Sequence, residues 1–359
     1  MGFGRSIASH WNTFADAIAQ DLRSLGQEQG RNRRALATGL ATALAVYAAL
    51  LLNLEFPMWS GMTALTVTAT TQRATVLKGV MRIVGTVVGA LTATLLLGFI
   101  AGDNWLLAGA LFATVSYALY RSFTSAYPYA WLLGGITLGL ILMDTMANAS
   151  AGLHVAAYRA AEIIVGVASA FAVGVLLLPA ASDPEHDRAL AVAPQVDHTV
   201  AVRTALEAGT GLCIVVGLYA LFDLPGFSAA AVSLTRIVDP NPELGRHRGF
   251  LRLLGCGLGA GAGLMMVSAS IDSLPLFLCV IFVWCTIFGY FFAGPPASAY
   301  AGMQAGYAFI VAFAPSMLPP DTLEPAIDRF AGIVLAFAVF WTIDALIGSQ
   351  PPIADQPPK

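Results

Sequence analysis

Two arginines stand where arginine is costly. Arg159 and Arg329 lie in the first turns of two long apolar runs, 155–179 and 328–348, and are 170 residues apart. A charge carried into hydrocarbon is retained for a reason, so each marks a candidate functional site. A guanidinium is a planar fork that grips a carboxylate through two parallel hydrogen bonds. Each arginine has an acid close by: Glu162 three residues after Arg159, and Asp328 immediately before Arg329. Two such arginines, related by a twofold axis, would flank one path for organic anions. The other account is that they snorkel to the headgroups with an ion pair along the helix. Their repetition favours the site.

Further residues fit the same chemistry. Lys78, Arg82, Arg246 and Arg252 precede glycine-rich runs and would collect anions at the inner side. Tyr158 and Tyr127 offer ring faces for an aromatic substrate. Protons require carboxylates, and the candidates are Glu162, Asp328, Asp344, Glu55 and Asp223. Glu55 and Asp223 each lie two residues before a proline, so they either relay protons at the outer mouth or end a helix in water. Asp344 sits deeper in the last run. His154 has a suitable intrinsic pKa for proton coupling, and Gln304 can bond a substrate or a neighbouring helix. No catalytic residue, metal site or cofactor is expected. There is no Walker A sequence, no HExxH and no GxSxG, and the four cysteines lie in apolar runs as small core residues. The chain is not expected to be an enzyme or to bind nucleic acid.

The elements that must carry these residues are membrane helices. Of 359 residues, 57% are hydrophobic and 11% charged, against about a quarter charged in soluble domains. The expected fold is an all-α polytopic membrane protein of about twelve transmembrane helices. Residues 1–34 lack an apolar signal core; within them Trp11, Phe14, Ile18, Leu22 and Leu25 recur at helical spacing. That helix either lies on the membrane surface or docks on the protein. Six apolar runs fill 35–180, with the second, 58–71, unusually short. A polar linker occupies 181–202, six further runs fill 203–348, and 349–359 is a tail.

The two sets of six repeat. Arg34 matches Arg203, Glu55-Phe56-Pro57 matches Asp223-Leu224-Pro225, and Ser125-Ala126-Tyr127 matches Ser298-Ala299-Tyr300, at offsets of 168 to 173. Gly85-x-x-x-Gly89 matches Gly255-x-x-x-Gly259, a spacing that lets helices approach closely. An even number of spans gives both copies one orientation, hence a parallel repeat. With both termini cytoplasmic, sixteen of the eighteen Lys and Arg residues fall inside, Arg236 among them; Arg159 and Arg329 are the exceptions. A multi-pass membrane location with both termini on the cytoplasmic side follows.

The residues also resemble a known family. The series Arg34-x-Leu36-x-x-Gly39, Pro57-x-Trp59, Leu65-Thr66-Val67, Lys78-Gly79-x-x-Arg82-x-x-Gly85-Thr86-x-x-Gly89-Ala90 and Arg159-x-x-Glu162-x-x-x-Gly166, ending at Pro179, is similar to that of the fusaric acid resistance (FUSC) family. The resemblance implies a six-helix unit used twice and efflux of aromatic or other organic acids, often beside a periplasmic adaptor protein. It leaves a homodimer open. It also implies anion contacts at Lys78, Arg82 and the arginine of the last helix. The second copy departs at Phe227, opposite Trp59, and at Gly332, opposite Glu162. A proton-driven exporter, a passive anion channel and a non-transporting scaffold are the readings, in that order.

Overall fold

The computed structural model describes residues 2–100, 102–145, 148–180, 196–222, 224–269, 271–317 and 324–347. Among the described residues there are thirteen α-helices and no strand. They are α1 (Gly2–Arg23), α2 (Gln29–Leu51), α3 (Pro57–Val67), α4 (Gln72–Ile100), α5 (Asn104–Thr124), α6 (Pro128–Asp144) and α7 (Gly152–Leu177). After the linker come α8 (His198–Phe222), α9 (Phe227–Ile237), α10 (Pro242–Val267), α11 (Leu274–Phe292), α12 (Pro296–Phe313) and α13 (Glu324–Ile347).

Against an expectation of twelve crossings, eight helices among the described residues are long and apolar enough to cross a membrane: α2, α4, α5, α7, α8, α10, α11 and α13. The departures have local causes. Helices α3 and α9 have eleven residues each, a length of about 16 Å. Pro57 opens α3 at its first turn, and a threonine-rich stretch, Thr66 to Thr71, follows it. β-Branched hydroxyl residues favour extended backbone and offer it alternative bonds. Helix α9 stops before Asp239-Pro240, because the residue ahead of a proline is driven out of the helical region.

The extended stretch after α3 lies at membrane depth, where non-helical backbone survives only inside protein. Thr68, Ala69 and Thr71 are buried. The Ala69 N–H donates to Thr75 Oγ1 at 3.1 Å, and the Ala74 N–H donates to Thr71 Oγ1 at 3.2 Å. The Gln72 N–H reaches the Pro179 carbonyl at 3.1 Å. That bond puts the start of α4 and the end of α7 at one face of the protein, with Arg33 donating to the Leu177 carbonyl there. At the opposite face Glu55 meets His154, and Asp144 meets Ser228 and Arg159. We term these the basic and the acidic face.

The helix pairings recur between the two sets of six. Helix α4 packs on α6, as α10 does on α12; α3 packs on α7, as α9 does on α13. The sets are also interleaved, since α2 packs on α11 and α8 on α5. The α4–α6 and α10–α12 contacts are the tightest, and glycine makes them so. A Cβ on Gly85 would stand 2.3 Å from the Ala130 carbonyl oxygen, and one on Gly259 only 1.9 Å from that of Ala305.

Helix α1 is docked. Its Phe14 and Ile18 pack against Leu251, Leu254 and Ala301 of α10 and α12. Its last turn is pinned by a buried 2.7 Å ion pair between Asp21 and Arg31, whose Nε donates to the Tyr290 carbonyl at 3.0 Å. Trp11, Leu22 and Leu25 remain exposed on its other side.

Gly257, two residues from Gly259 and with nothing near a Cβ, supplies a control. Gly259→Ala should lower stability by about 1–3 kcal/mol, while Gly257→Ala should stay within about 0.5 kcal/mol of the parent. Thermal unfolding of the detergent-purified variants measures both.

Candidate anion site

Mid-depth arginines organise the interior. Arg82 on α4 donates from Nε to Thr63 Oγ1 of α3 at 3.0 Å, and from Nη1 to Tyr129 Oη of α6 at 3.1 Å. Arg252 on α10 donates from Nε to Ser233 Oγ of α9 at 3.1 Å. The two bonds join equivalent positions, with nineteen residues between donor and acceptor in each case. Each ties a short helix to a crossing one.

Above this layer lies a cavity of about 1050 Å³ that reaches the acidic face. Its wall carries four arginines, Arg82, Arg236, Arg252 and Arg329, against Asp144, Glu324 and Asp328. Its aromatic lining is Phe56, Trp59, Tyr129, Tyr219, Phe227 and Tyr307. Tyr219 and Phe227 stack at 4.2 Å. Tyr307 Oη hydrogen-bonds Thr66 Oγ1 across the two helix sets. Arg329 stands 5.9 Å over the Tyr307 ring, and its buried Nε has no hydrogen-bond partner. Arg159 lies beside the cavity, its guanidinium carbon 3.6 Å over the Trp59 ring and its Nη2 3.8 Å from Asp144 Oδ2. Asp144 also accepts from Ser228. Such an enclosure, cationic with aromatic walls, suits a small anion with a flat apolar body.

The structure thus brings Arg82, Arg252, Arg329 and Asp328 into one wall and places Arg159 behind Trp59. Other expected contacts lie apart. Lys78 is on α4, one turn from Arg82 toward the basic face, outside the cavity lining. Arg246 is bound by Asp344, with Nε 3.0 Å from Oδ2, so neither lines the cavity. Tyr127 is exposed at the start of α6. Tyr158 packs on His154, which pairs with Glu55 at 2.8 Å, a cluster at the acidic face. Asp223 lies outside the described residues. Gln304 is buried against Cys256 and Gly255 in the α10–α12 contact.

Glu162 holds backbone. Its Oε1 accepts the Phe56 N–H at 2.8 Å, at the entrance to α3, where the helix dipole favours a negative charge. Its own carbonyl accepts from Ser60 at 2.9 Å. At the equivalent place α9 leans directly on α13. Gly226 has a left-handed φ of 77°, and a Cβ on it would stand 2.0 Å from the Asp328 carbonyl oxygen. A Cβ on Gly332 would meet the Gly226 oxygen at 2.3 Å. The Glu162-to-Gly332 departure is therefore two ways of seating one short helix.

Sequence reasoning passed over Arg236, Tyr307, Tyr129, Trp59, Thr66 and Asp144 as site residues. Arg236, expected at the inner ends of the helices, faces the cavity. One signal was present: a hydroxyl nineteen residues before an arginine in both sets, Thr63 before Arg82 and Ser233 before Arg252.

Comparison with known proteins agrees with this architecture. Residues 33–209 match the fusaric acid resistance protein family, and residues 212–343 match a fusaric acid resistance protein-like model. The chain belongs to the fusaric acid resistance family. Its relatives include an uncharacterized transporter, YdhK, of Escherichia coli K12, 31% identical over 155 residues. A YdhK of Salmonella typhimurium is 29% identical over 158 residues. These matches cover 42% and 43% of the chain but 23% of each relative's own length. No solved structure matches the chain significantly. Family membership and the eight long apolar helices among the described residues make it a multi-pass membrane protein.

The role of Glu162 is open to a direct check. Glu162→Leu should cost about 1–2 kcal/mol by orphaning the Phe56 N–H, and should sensitise the α2–α3 connection to protease. Glu162→Gln retains an acceptor and should lie near the parent in both measurements. Equal losses in the two variants would show that charge, not the hydrogen bond, seats α3.

Proposed function

We propose that the chain is an inner-membrane exporter of small organic anions, aromatic carboxylates foremost, and that the arginine-lined cavity is its substrate site. The observation that carries this reading is the convergence of four arginines and six aromatic side chains on one cavity. Guanidinium forks recognise carboxylates, and flat rings suit flat substrates. In this reading the molecule has two equivalent six-helix halves, 35–180 and 203–348, of twelve membrane-entering helices related by an axis along the membrane normal. The recurring helix pairs and the two consecutive family matches support it. The basic face is cytoplasmic, by the excess of Lys and Arg there.

The cavity opens at the acidic, external face, so the geometry corresponds to release. The membrane potential, negative inside, favours outward movement of an anion by about 2.3 kcal/mol per charge per 100 mV. In the exporter reading Asp328, beside Arg329 at the mouth, carries the coupled proton. A passive anion conduit is the second reading, and a specific observation favours it. Two of the nearby carboxylates are already engaged, Asp144 by Arg159 and Ser228, and Glu162 by the α3 backbone.

Flux of radiolabelled 4-hydroxybenzoate in proteoliposomes tests the proposal. Arg329→Gln should lower flux by about tenfold or more while size-exclusion behaviour stays that of the parent. Undiminished flux in the variant would overturn the assignment of the cavity. With the potential clamped, uphill movement that follows an imposed pH gradient marks the exporter; movement only down the anion gradient marks the conduit.

A further inference from the structure

The cavity is built from equivalent elements, yet its two sides are not equivalent. The correspondence is set by packing: Gly85 against Ala130 and Gly89 against Gly134 in one set, Gly255 against Ala301 and Gly259 against Ala305 in the other. By that register Thr66 of α3 corresponds to Arg236 of α9, and Ile136 of α6 to Tyr307 of α12. On one side, Thr66 and Tyr307 are joined by a hydrogen bond. On the other, α9 packs on α6, and Arg236 lines the cavity together with Ile136, Leu140 and Met143 of α6, none of which is a side-chain acceptor.

The arginines divide in the same way. Arg82 is bonded to Thr63 and Tyr129, and Arg159 is paired with Asp144 and covered by Trp59. Arg236 makes neither an ion pair nor a side-chain hydrogen bond among the described residues, though it lines the cavity. Its place in the last turn of α9 suits a cation, but α3 ends with Thr66 at the same place. The helix end therefore does not require an arginine. A half-buried guanidinium without a carboxylate, lining an open cavity, is available to an anion from outside the chain.

We infer that the cavity binds its substrate asymmetrically, with the carboxylate on Arg236 and an apolar or aromatic body against Ile136, Leu140 and Val232. This rests on the reading of the cavity as the anion site and adds the orientation and the class of ligand: a monocarboxylate with an apolar body, one per chain. Arg252 and Arg329 line the same cavity and add to the positive field, Arg329 standing over the Tyr307 ring. At the equivalent seam the Thr66–Tyr307 bond puts a hydroxyl pair where the other carries Arg236.

The test is equilibrium binding of benzoate to the detergent-purified full chain by isothermal titration calorimetry. The parent should bind one benzoate. Arg236→Gln should weaken binding about ten- to hundredfold, and Arg236→Lys should recover much of it. Arg33→Gln, which removes a basic-face charge outside the cavity, controls for net charge. Thermal unfolding confirms that each variant is folded. The double variant Thr66→Arg with Tyr307→Ile copies the Arg236 side onto its counterpart and should raise the stoichiometry toward two. Parental affinity in Arg236→Gln, with loss in Arg252→Gln, would overturn the assignment to Arg236 and leave the cavity an anion site. No benzoate binding by the parent would overturn both.

Discussion

A guanidinium at mid-depth in a membrane must be held by protein, and here it is held by a hydroxyl on a helix too short to cross. Arg82 on Thr63, and Arg252 on Ser233, are the contacts from which the rest follows. Each fixes a short helix against a crossing one. The short helix then ends inside the molecule, and its extended continuation has to be wrapped by neighbours that satisfy its backbone. The wrapping helices are α2, α7, α12 and α4 around α3. The cavity fills the space above the bonded arginines, toward the acidic face, where the short helices enter.

The two sets solve the seating of the short helix differently. Glu162 reaches out to the Phe56 N–H, whereas Gly332 lets the α9 entrance rest on the α13 backbone. A carboxylate at position 332 would have no room beside Gly226. In the proposed reading, such local divergence is what lets two equivalent halves carry an asymmetric site. The same divergence gives one side of the cavity a threonine–tyrosine bond and the other an arginine against aliphatic side chains.

Much of this was legible in the sequence, because hydrocarbon leaves few options. The apolar runs, the short second run, the 170-residue offset and the unusual arginines all read directly. The GxxxG stretches read as close helix contacts, and the α4–α6 and α10–α12 pairs are such contacts. The pairing of side chains across helices was not legible. Asp344 read as a proton carrier or as a partner for a neighbouring polar group, because its depth was visible and the identity of that partner, Arg246, ninety-eight residues earlier, was not. Glu162 read as a proton group because nothing in its own helix shows the Phe56 N–H above it. Arg236 read as an inner-face charge because α9 looks like a full span until its end before Pro240 is seen. The docking of α1 on α10 and α12 depends on Asp21 meeting Arg31 and Tyr290, a contact that no periodicity records.

In the proposed reading, the chemistry is recognition of negative charge in a volume with flat walls. Arg82 and Arg252 hold the frame and also line the volume, and Arg236 lines it without a bonded partner. The central claim is that an organic anion occupies this cavity on its arginine-rich side. The most direct measurement is an anomalous difference map from crystals grown with 4-bromobenzoate. The account predicts one bromine peak per chain among Ile136, Leu140 and Val232, with the carboxylate turned to Arg236. A peak at the basic face, or none in the cavity, would contradict it.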